Sequence, residues 1–227
     1  MLPKVVVYNS VSVDGAIKDF DVDIALHYEV LGRFGADALL AGSQTAKSGI
    51  ELFLKEVPPE EESDYQKPLT KAGDDRPIWI IPDSRGILQG LLHVHRKSGY
   101  AKDIVVLVSK STPKQYLAYL VERHYDYIVA GDDHVDYRVA LEELNSRYNV
   151  EKVVTDSGGI LAGVLFEQGL VDELHLLVAP ELVGKKAVTL FRNLGGSVKL
   201  ELIGSEAIKG HVLLSYQVSK QILAKMY

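Results

Sequence analysis

Apolar residues in this chain gather into short runs, and glycine-rich or charged stretches separate the runs, the alternation expected of buried strands and amphipathic helices. The β-branched run at 5–11 reads as the first strand, and 37–41, 78–81, 104–108, 127–130, 153–155 and 173–179 read as further strands. Helical spacing marks 24–34, 116–124, 135–148 and 160–168. Gly42-Ser43-Gln44-Thr45 follows a strand and offers a hydroxyl to cap another helix. Alternating strands and helices predict an α/β fold. Beyond Pro180 the pattern changes, and 198–203 with 211–218, joined around Lys209-Gly210, predict a closing antiparallel hairpin.

The most informative stretch is 153–184, where a strand, the turn Ser157-Gly158-Gly159, a helix, Gly169 and a second apolar strand follow each other as a βαβ crossover. Glycines at a strand-to-helix junction let backbone approach a ligand while the first helical N–H groups stay unpaired, which suits an anion such as a pyrophosphate. A tight turn alone would use the same two glycines.

Composition narrows the class without naming a chemistry. At 227 residues, 47% hydrophobic and 25% charged, the chain reads as one globular domain over 1–220, with an acidic insertion at about 54–76 and a tail at 221–227. No apolar run approaches the roughly 18 residues of a membrane span. The N-terminal M-L-P-K-V-V-V-Y-N leads directly into a strand without signal-peptide or transit-peptide character, so the cytoplasm is the expected compartment. Absence of cysteine excludes disulfides, thiolate metal sites and a cysteine nucleophile. The net charge of −6 gives no general attraction for nucleic acid or an acidic membrane.

Polar groups collect where strands end, which in an open α/β sheet is the ligand side. Asn9, Ser12 and Asp14 do so after the first strand, although Asp14-Gly15 is also a common turn pair. Pro82-Asp83-Ser84-Arg85-Gly86 and Ser109-Lys110-Ser111-Thr112 each set hydroxyls and a cation beside a strand end, a combination suited to a phosphate monoester and also found in ordinary polar loops. The acidic insertion reads as a solvated surface loop or lid. His93 and His95 would share a face of a strand, but two imidazoles without a further ligand make a poor metal site. Asp132, Asp133 and Asp136 read as a loop and a helix cap.

Four motifs occur in order: N-S-V-S-V-D-G-A-I at 9–17, A-D-A-L-L-A-G-S-Q-T at 36–45, R-P-I-W-I-I-P-D-S-R-G at 76–86, and T-D-S-G-G-I-L with G-L-V-D-E-L and P-E-L-V-G within 155–184. On these the chain resembles the reductase family with the dihydrofolate-reductase fold represented by the RibD C-terminal domain and its stand-alone archaeal relatives. The resemblance implies a mostly parallel central sheet flanked by helices and an NADPH-dependent oxidoreductase that reduces the ribosyl group of a ribosylaminopyrimidine 5′-phosphate to ribityl, as in riboflavin biosynthesis. Carried over residue by residue, Gly42 and Thr45 would face the nicotinamide half of the cofactor. Ser157, Gly158, Gly159 and Leu161 would hold the pyrophosphate, and Ser84, Arg85 and Ser109, with Lys110 beside them, the 2′-phosphate. Asn9, Ser12 and Lys47 would line the substrate side, with Asp14 orienting the substrate or assisting proton transfer.

The chain departs from the family pattern in two places. It has A-K-S-G-I-E-L-F at 46–53 where an Asp-Pro-x-Leu-like stretch is usual, and Asp156-Ser157 where a glutamate often precedes the glycine pair. The zinc deaminase half fused to many bacterial relatives has no counterpart, since there is no cysteine to ligate zinc. Reduction of dihydrofolate or another pterin, and a non-catalytic nucleotide-binding role, are the alternatives. The apolar strand at 171–178 and the C-terminal hairpin offer edges that a homodimer would cover.

Overall fold

A strand that loses both faces to the protein interior needs an unbroken apolar run, and the strands of this chain follow that rule. The structure, a computed structural model, describes residues 1–69, 73–191 and 194–219; the tail at 221–227 lies outside the described residues. The elements run β1 (Lys4–Ser12), α1 (Ile24–Gly32), β2 (Ala38–Leu40), α2 (Ser43–Phe53), β3 (Ile78–Pro82), α3 (Leu92–Lys97), β4 (Asp103–Val108) and α4 (Lys114–Glu122). There follow β5 (Asp126–Val129), α5 (Tyr137–Tyr148), β6 (Lys152–Thr155), α6 (Gly159–Glu167), β7 (Glu173–Ala179), β8 (Leu200–Ile208) and β9 (His211–Val218). The chain has the expected α/β class, with mostly parallel strands and a C-terminal antiparallel hairpin.

Contacts divide the chain into two units interleaved in sequence, one of Met1–Pro3 with Ala36–Val153 and the other of Lys4–Gly35 with Val154 onward. In the first, parallel ladders set the order β5-β4-β3-β2. Its core joins Ile81 and Val106 from the strands to Leu88, Leu92, Tyr116 and Leu120 beside them. Asp83 closes the turn after β3 by accepting from the N–H groups of Ile87 and Leu88, both at 3.0 Å. Gly86, at φ +69°, lies so close beneath Tyr116 that a Cβ would stand 2.7 Å from its ring.

In the second unit the order is β6-β1-β7-β9-β8. β1 pairs parallel with β7 from Val6 with Glu173 to Ser12 with Ala179. Both central residues of the turn between β8 and β9, Lys209 (φ 46°) and Gly210 (φ 81°), are left-handed, the geometry that matches the twist of a two-residue hairpin. That turn keeps the strands paired up to Ile208 and His211, so β8 extends past the 198–203 run read from sequence.

Several sequence expectations need correction. β7 is not an edge, because β1 and β9 flank it, and the edge strand of this unit is β8. His93 and His95 lie on α3 and not on a strand. No hydroxyl caps α2: Gly42 is its N-cap, and Ser43 and Thr45 are already helical. Asp136 does cap α5, accepting from the Val139 N–H at 3.1 Å.

The acidic insertion is not simply solvated. Asp64 is 2% exposed and accepts from Lys97 Nζ and the Glu61 N–H, each at 2.8 Å. Glu60 takes a two-pronged ion pair from Arg123, with both contacts at 2.8 Å, and a hydrogen bond from the Tyr119 hydroxyl. Arg123 in turn lies over the rings of Tyr119 and Tyr65. Glu60, Glu61 and Asp64 fasten this part of the segment to α3 and α4 like a strap. Among the described residues no helix is long and apolar enough to cross a membrane.

Candidate functional site

In the second unit, the polar residues that end β1 lie beside the turn that opens α6. Asn9 is buried and donates from Nδ2 to the Ser157 carbonyl at 3.4 Å, so it steadies the glycine turn. Ser12 is also buried, accepts from the Ala16 N–H at 2.9 Å and donates to Asp14 Oδ1 at 2.6 Å. Asp14 further accepts from the N–H groups of Val183 (3.2 Å) and Gly184 (2.7 Å).

These donors hold the Asp14 carboxylate down at about 2, the Ser12 hydroxyl having the largest effect and the Gly184 and Val183 N–H groups adding to it. Such a group stays ionised at neutral pH and is poorly matched to proton transfer. A carboxylate has about four lone-pair positions, and three are engaged here, which leaves one on Oδ2 for a further donor.

The two glycines of the turn have different reasons to be glycine. A Cβ at Gly158 would meet only the Ile17 Cδ1 at 3.8 Å, whereas one at Gly159 would stand 2.3 Å from the Leu190 carbonyl oxygen. Gly159 is therefore demanded by packing, and Gly158 leaves the backbone open. Gly158 is the N-cap of α6, and no side-chain cap hydrogen bond closes that helix end. Ser157 and Leu161 are both buried.

A further polar set lies on the face of β1 opposite Asn9. The Ser10 hydroxyl is 2.8 Å from His27 Nδ1, and His27 Nε2 is 3.5 Å from Asp156 Oδ2. The Tyr8 hydroxyl donates to the His27 carbonyl at 3.1 Å, and the two rings pack at 4.7 Å. Sequence reasoning singled out neither Ser10 nor His27. The available signal was the polar group at every second position, Tyr8, Ser10 and Ser12, along a strand buried from Val5 onward.

In the first unit, the residues assigned to the cofactor occupy the carboxyl ends of β2, β3 and β4. Gly42 and Thr45 open α2 and Lys47 sits one turn on, half-buried. Ser84 and the exposed Arg85 follow β3. Ser109 is 1% exposed, and its hydroxyl is already shared with the Ser111 hydroxyl (3.0 Å) and the Asp133 carbonyl (3.3 Å). Lys110 pairs with Asp132 at 2.7 Å in the open.

The chain is 29% identical over 153 residues to the 2,5-diamino-6-ribosylamino-4(3H)-pyrimidinone 5′-phosphate reductase of Methanothermobacter thermautotrophicus, covering 65% of this chain and 68% of that protein. Among solved structures it is similar to a pyrimidine reductase-like protein from Corynebacterium diphtheriae, with a TM-score of 0.70 and 17% identity over 96% of this chain and 92% of that one. It is also similar to the riboflavin biosynthesis reductase of Saccharomyces cerevisiae, with a TM-score of 0.68 and 17% identity over 96% and 90%. These structural likenesses show a shared fold. Residues 3–214, nearly the whole sequence, match the RibD C-terminal domain, and the chain belongs to that family.

Proposed function

We propose that this protein is an NADPH-dependent reductase that converts the ribosyl group of a ribosylaminopyrimidine 5′-phosphate to ribityl. The observation that carries the reading is the family match across 3–214. The open backbone at Gly158 supports it, because an uncapped helix of nine residues suits a pyrophosphate. NADPH, when bound, supplies the hydride.

The chain's own residues position and hold. The α6 N–H groups, with Ser157, Gly158, Gly159 and Leu161, receive the pyrophosphate. Gly42 and Thr45 are assigned to the nicotinamide half. Ser84 and Arg85 are assigned to the 2′-phosphate, and Ser109 supports that loop, since its hydroxyl is committed within it. Asp14, anionic and fixed by three donors, orients a substrate hydroxyl through its remaining lone pair. Ser12 and Asn9 hold Asp14 and the glycine turn in place, and Lys47 is assigned to the substrate phosphate.

We assign the protein to the cytoplasm as a homodimer that covers the edge strand β8, whose Leu200, Leu202 and Ile203 are exposed together with Val212 of β9. The test titrates purified protein with NADPH and NADH, then follows cofactor oxidation with the pyrimidine phosphate and with dihydrofolate in parallel. NADPH preference with turnover of the pyrimidine is expected. Binding without turnover, or turnover of dihydrofolate alone, overturns the assignment. A solution mass of one 25.0 kDa chain would remove the dimer.

A further inference from the structure

The loops that leave β3, β4 and β5 lie next to one another at the carboxyl edge of the first unit's sheet, in the order in which those strands pair. The first carries Arg85, the second Ser109-Lys110-Ser111 and the third Asp132-Asp133. The last two are laced together. The Lys110 N–H donates to the Gly131 carbonyl at 3.1 Å and the Ser111 N–H to the Asp132 carbonyl at 2.9 Å, while the Ser109 and Ser111 hydroxyls both donate to the Asp133 carbonyl. Gly131, at φ +83°, sets the bend of the third loop, and a Cβ there would clash with the His134 carbonyl oxygen.

The backbone therefore holds an anion beside a cation at this edge. Lys110 Nζ and Asp132 Oδ1 are 2.7 Å apart, with side chains 74% and 80% exposed. The hydrogen bond between them holds the Lys110 ammonium above its ordinary range and the Asp132 carboxyl below its own, so both are charged at neutral pH. Arg85 is also exposed, but it has no ion pair among the described residues. The two cations at this edge are not equivalent.

We propose that the Lys110–Asp132 pair reads the 2′ position of the cofactor's adenosine ribose, with Asp132 drawing Lys110 away from a phosphate there and so narrowing the advantage of NADPH over NADH; this rests on the function proposed above. A phosphate monoester carries a charge of about −1.5 to −2 at neutral pH. Arg85 meets that charge uncommitted. Lys110 meets it only by leaving Asp132, and the carboxylate left behind then repels the phosphate at short range. A ribose that keeps its 2′-hydroxyl calls for the opposite group, since a carboxylate accepts a hydrogen bond from it. Asp132, with Lys110 on Oδ1, retains Oδ2 for that bond. Asp132 is thus the residue that sets the ratio, because Arg85 and Lys110 alone would favour the phosphate outright.

The test titrates the full chain calorimetrically with NADPH, NADH, adenosine 2′,5′-bisphosphate and adenosine 5′-phosphate. Wild type is compared with Asp132→Asn, Asp133→Asn, Lys110→Met and the double variant of Lys110→Met with Asp132→Asn. Both paired side chains are mostly in water, so these variants should fold as wild type does. Asp132→Asn is expected to raise the ratio of NADPH to NADH affinity about three- to fivefold, the upper range for an exposed ion pair, and to tighten the bisphosphate while the 5′-phosphate stays within about twofold. Asp133→Asn removes the same charge one residue on, outside the pair, and should move the ratio less than about twofold. Lys110→Met should lower the ratio about threefold, and in that background Asp132→Asn should do less than it does in wild type. A ratio unmoved by Asp132→Asn, or moved equally by Asp132→Asn and Asp133→Asn, overturns the assignment. Should wild type bind neither dinucleotide, the proposed function falls and this inference with it; should it bind both with a ratio indifferent to Asp132, this inference alone falls.

Discussion

The paired glycines at the start of α6 allow a prediction that separates packing from binding. Gly159→Ala sets a Cβ 2.3 Å from the Leu190 carbonyl oxygen and 3.2 Å from its carbon, and both are backbone atoms that cannot swing aside. Relief requires moving the 188–190 segment, which is tied down by the Ile17 N–H to the Val188 carbonyl at 3.0 Å and by the bridge between Ala16 and Thr189. Overpacking of this kind costs about 1–3 kcal/mol. Replacing a helical glycine returns at most about 1 kcal/mol. A 2.3 Å clash with backbone sets the cost at the upper end, so the net loss of about 2 kcal/mol lowers the melting temperature by roughly 4–8 °C for a chain of this size.

Gly158→Ala should behave differently. Its φ of −63° and ψ of 178° are open to alanine, and its nearest new neighbour is 3.8 Å away. Stability should stay within about 0.5 kcal/mol of wild type. NADPH affinity should nevertheless fall at least about tenfold, equivalent to roughly 1.4 kcal/mol, because the methyl group stands over the helix N-terminus. Thermal unfolding and cofactor titration of both variants decide the matter. Equal melting temperatures, or a less stable Gly158→Ala, would refute the division of roles.

Other expectations follow from charges and clamps. Asp14 has a folded value of about 2 against an ordinary 3.8, so it favours the folded state above the ordinary value, and that contribution is lost as pH falls toward about 2. Asp14→Asn should therefore flatten the acid limb of a stability-against-pH curve between those values and leave its neutral limb parallel to wild type. Arg96 is 5% exposed, lies 3.7 Å above the Tyr125 ring and pairs with Asp103, a carboxyl that burial pushes upward despite that partner. Arg96→Met should cost about 3–5 kcal/mol in urea unfolding, and a second change, Asp103→Leu, should recover part of it. Glu60→Gln weakens the two-pronged grip of Arg123 and should speed protease cleavage within 54–69, with little change in the global unfolding midpoint. Unchanged cleavage would mean the strap is held by other contacts.

Much of the fold was legible because parallel strands buried on both faces write continuous runs, as β1 and β4 do, and because Gly158-Gly159 and Lys209-Gly210 mark junctions with distinct backbone needs. What stayed hidden depended on partners far away in sequence. β7 looked like an edge since its apolar run does not say that β9 will return to pair with it. The acidic insertion looked solvated since Glu60 and Arg123 are 63 residues apart. The same holds at the site: Ser10 and His27 are 17 residues apart, and His27 and Asp156 are 129. Hydroxyls near Gly42 suggested a cap, but the helix begins at Ser43 itself, which puts them inside it. Ser109 read as available because sequence does not show that its loop uses the hydroxyl internally.

The pairing of β1 with β7 bears on how the chain is made. The Val5 N–H closes onto the Asp172 carboxylate 167 residues later, so β1 cannot find this neighbour until those residues have been made. At about 5–20 residues per second the wait is roughly 10–30 s. During it, the contiguous segment 36–153 can assemble its own four-stranded parallel sheet, while Val5, Val6 and Val7, none more than 1% exposed when folded, stand in water. A bare β-branched run of this kind is a template for unwanted pairing. β1 is thus open to unwanted pairing while the strands that cover it are still being made.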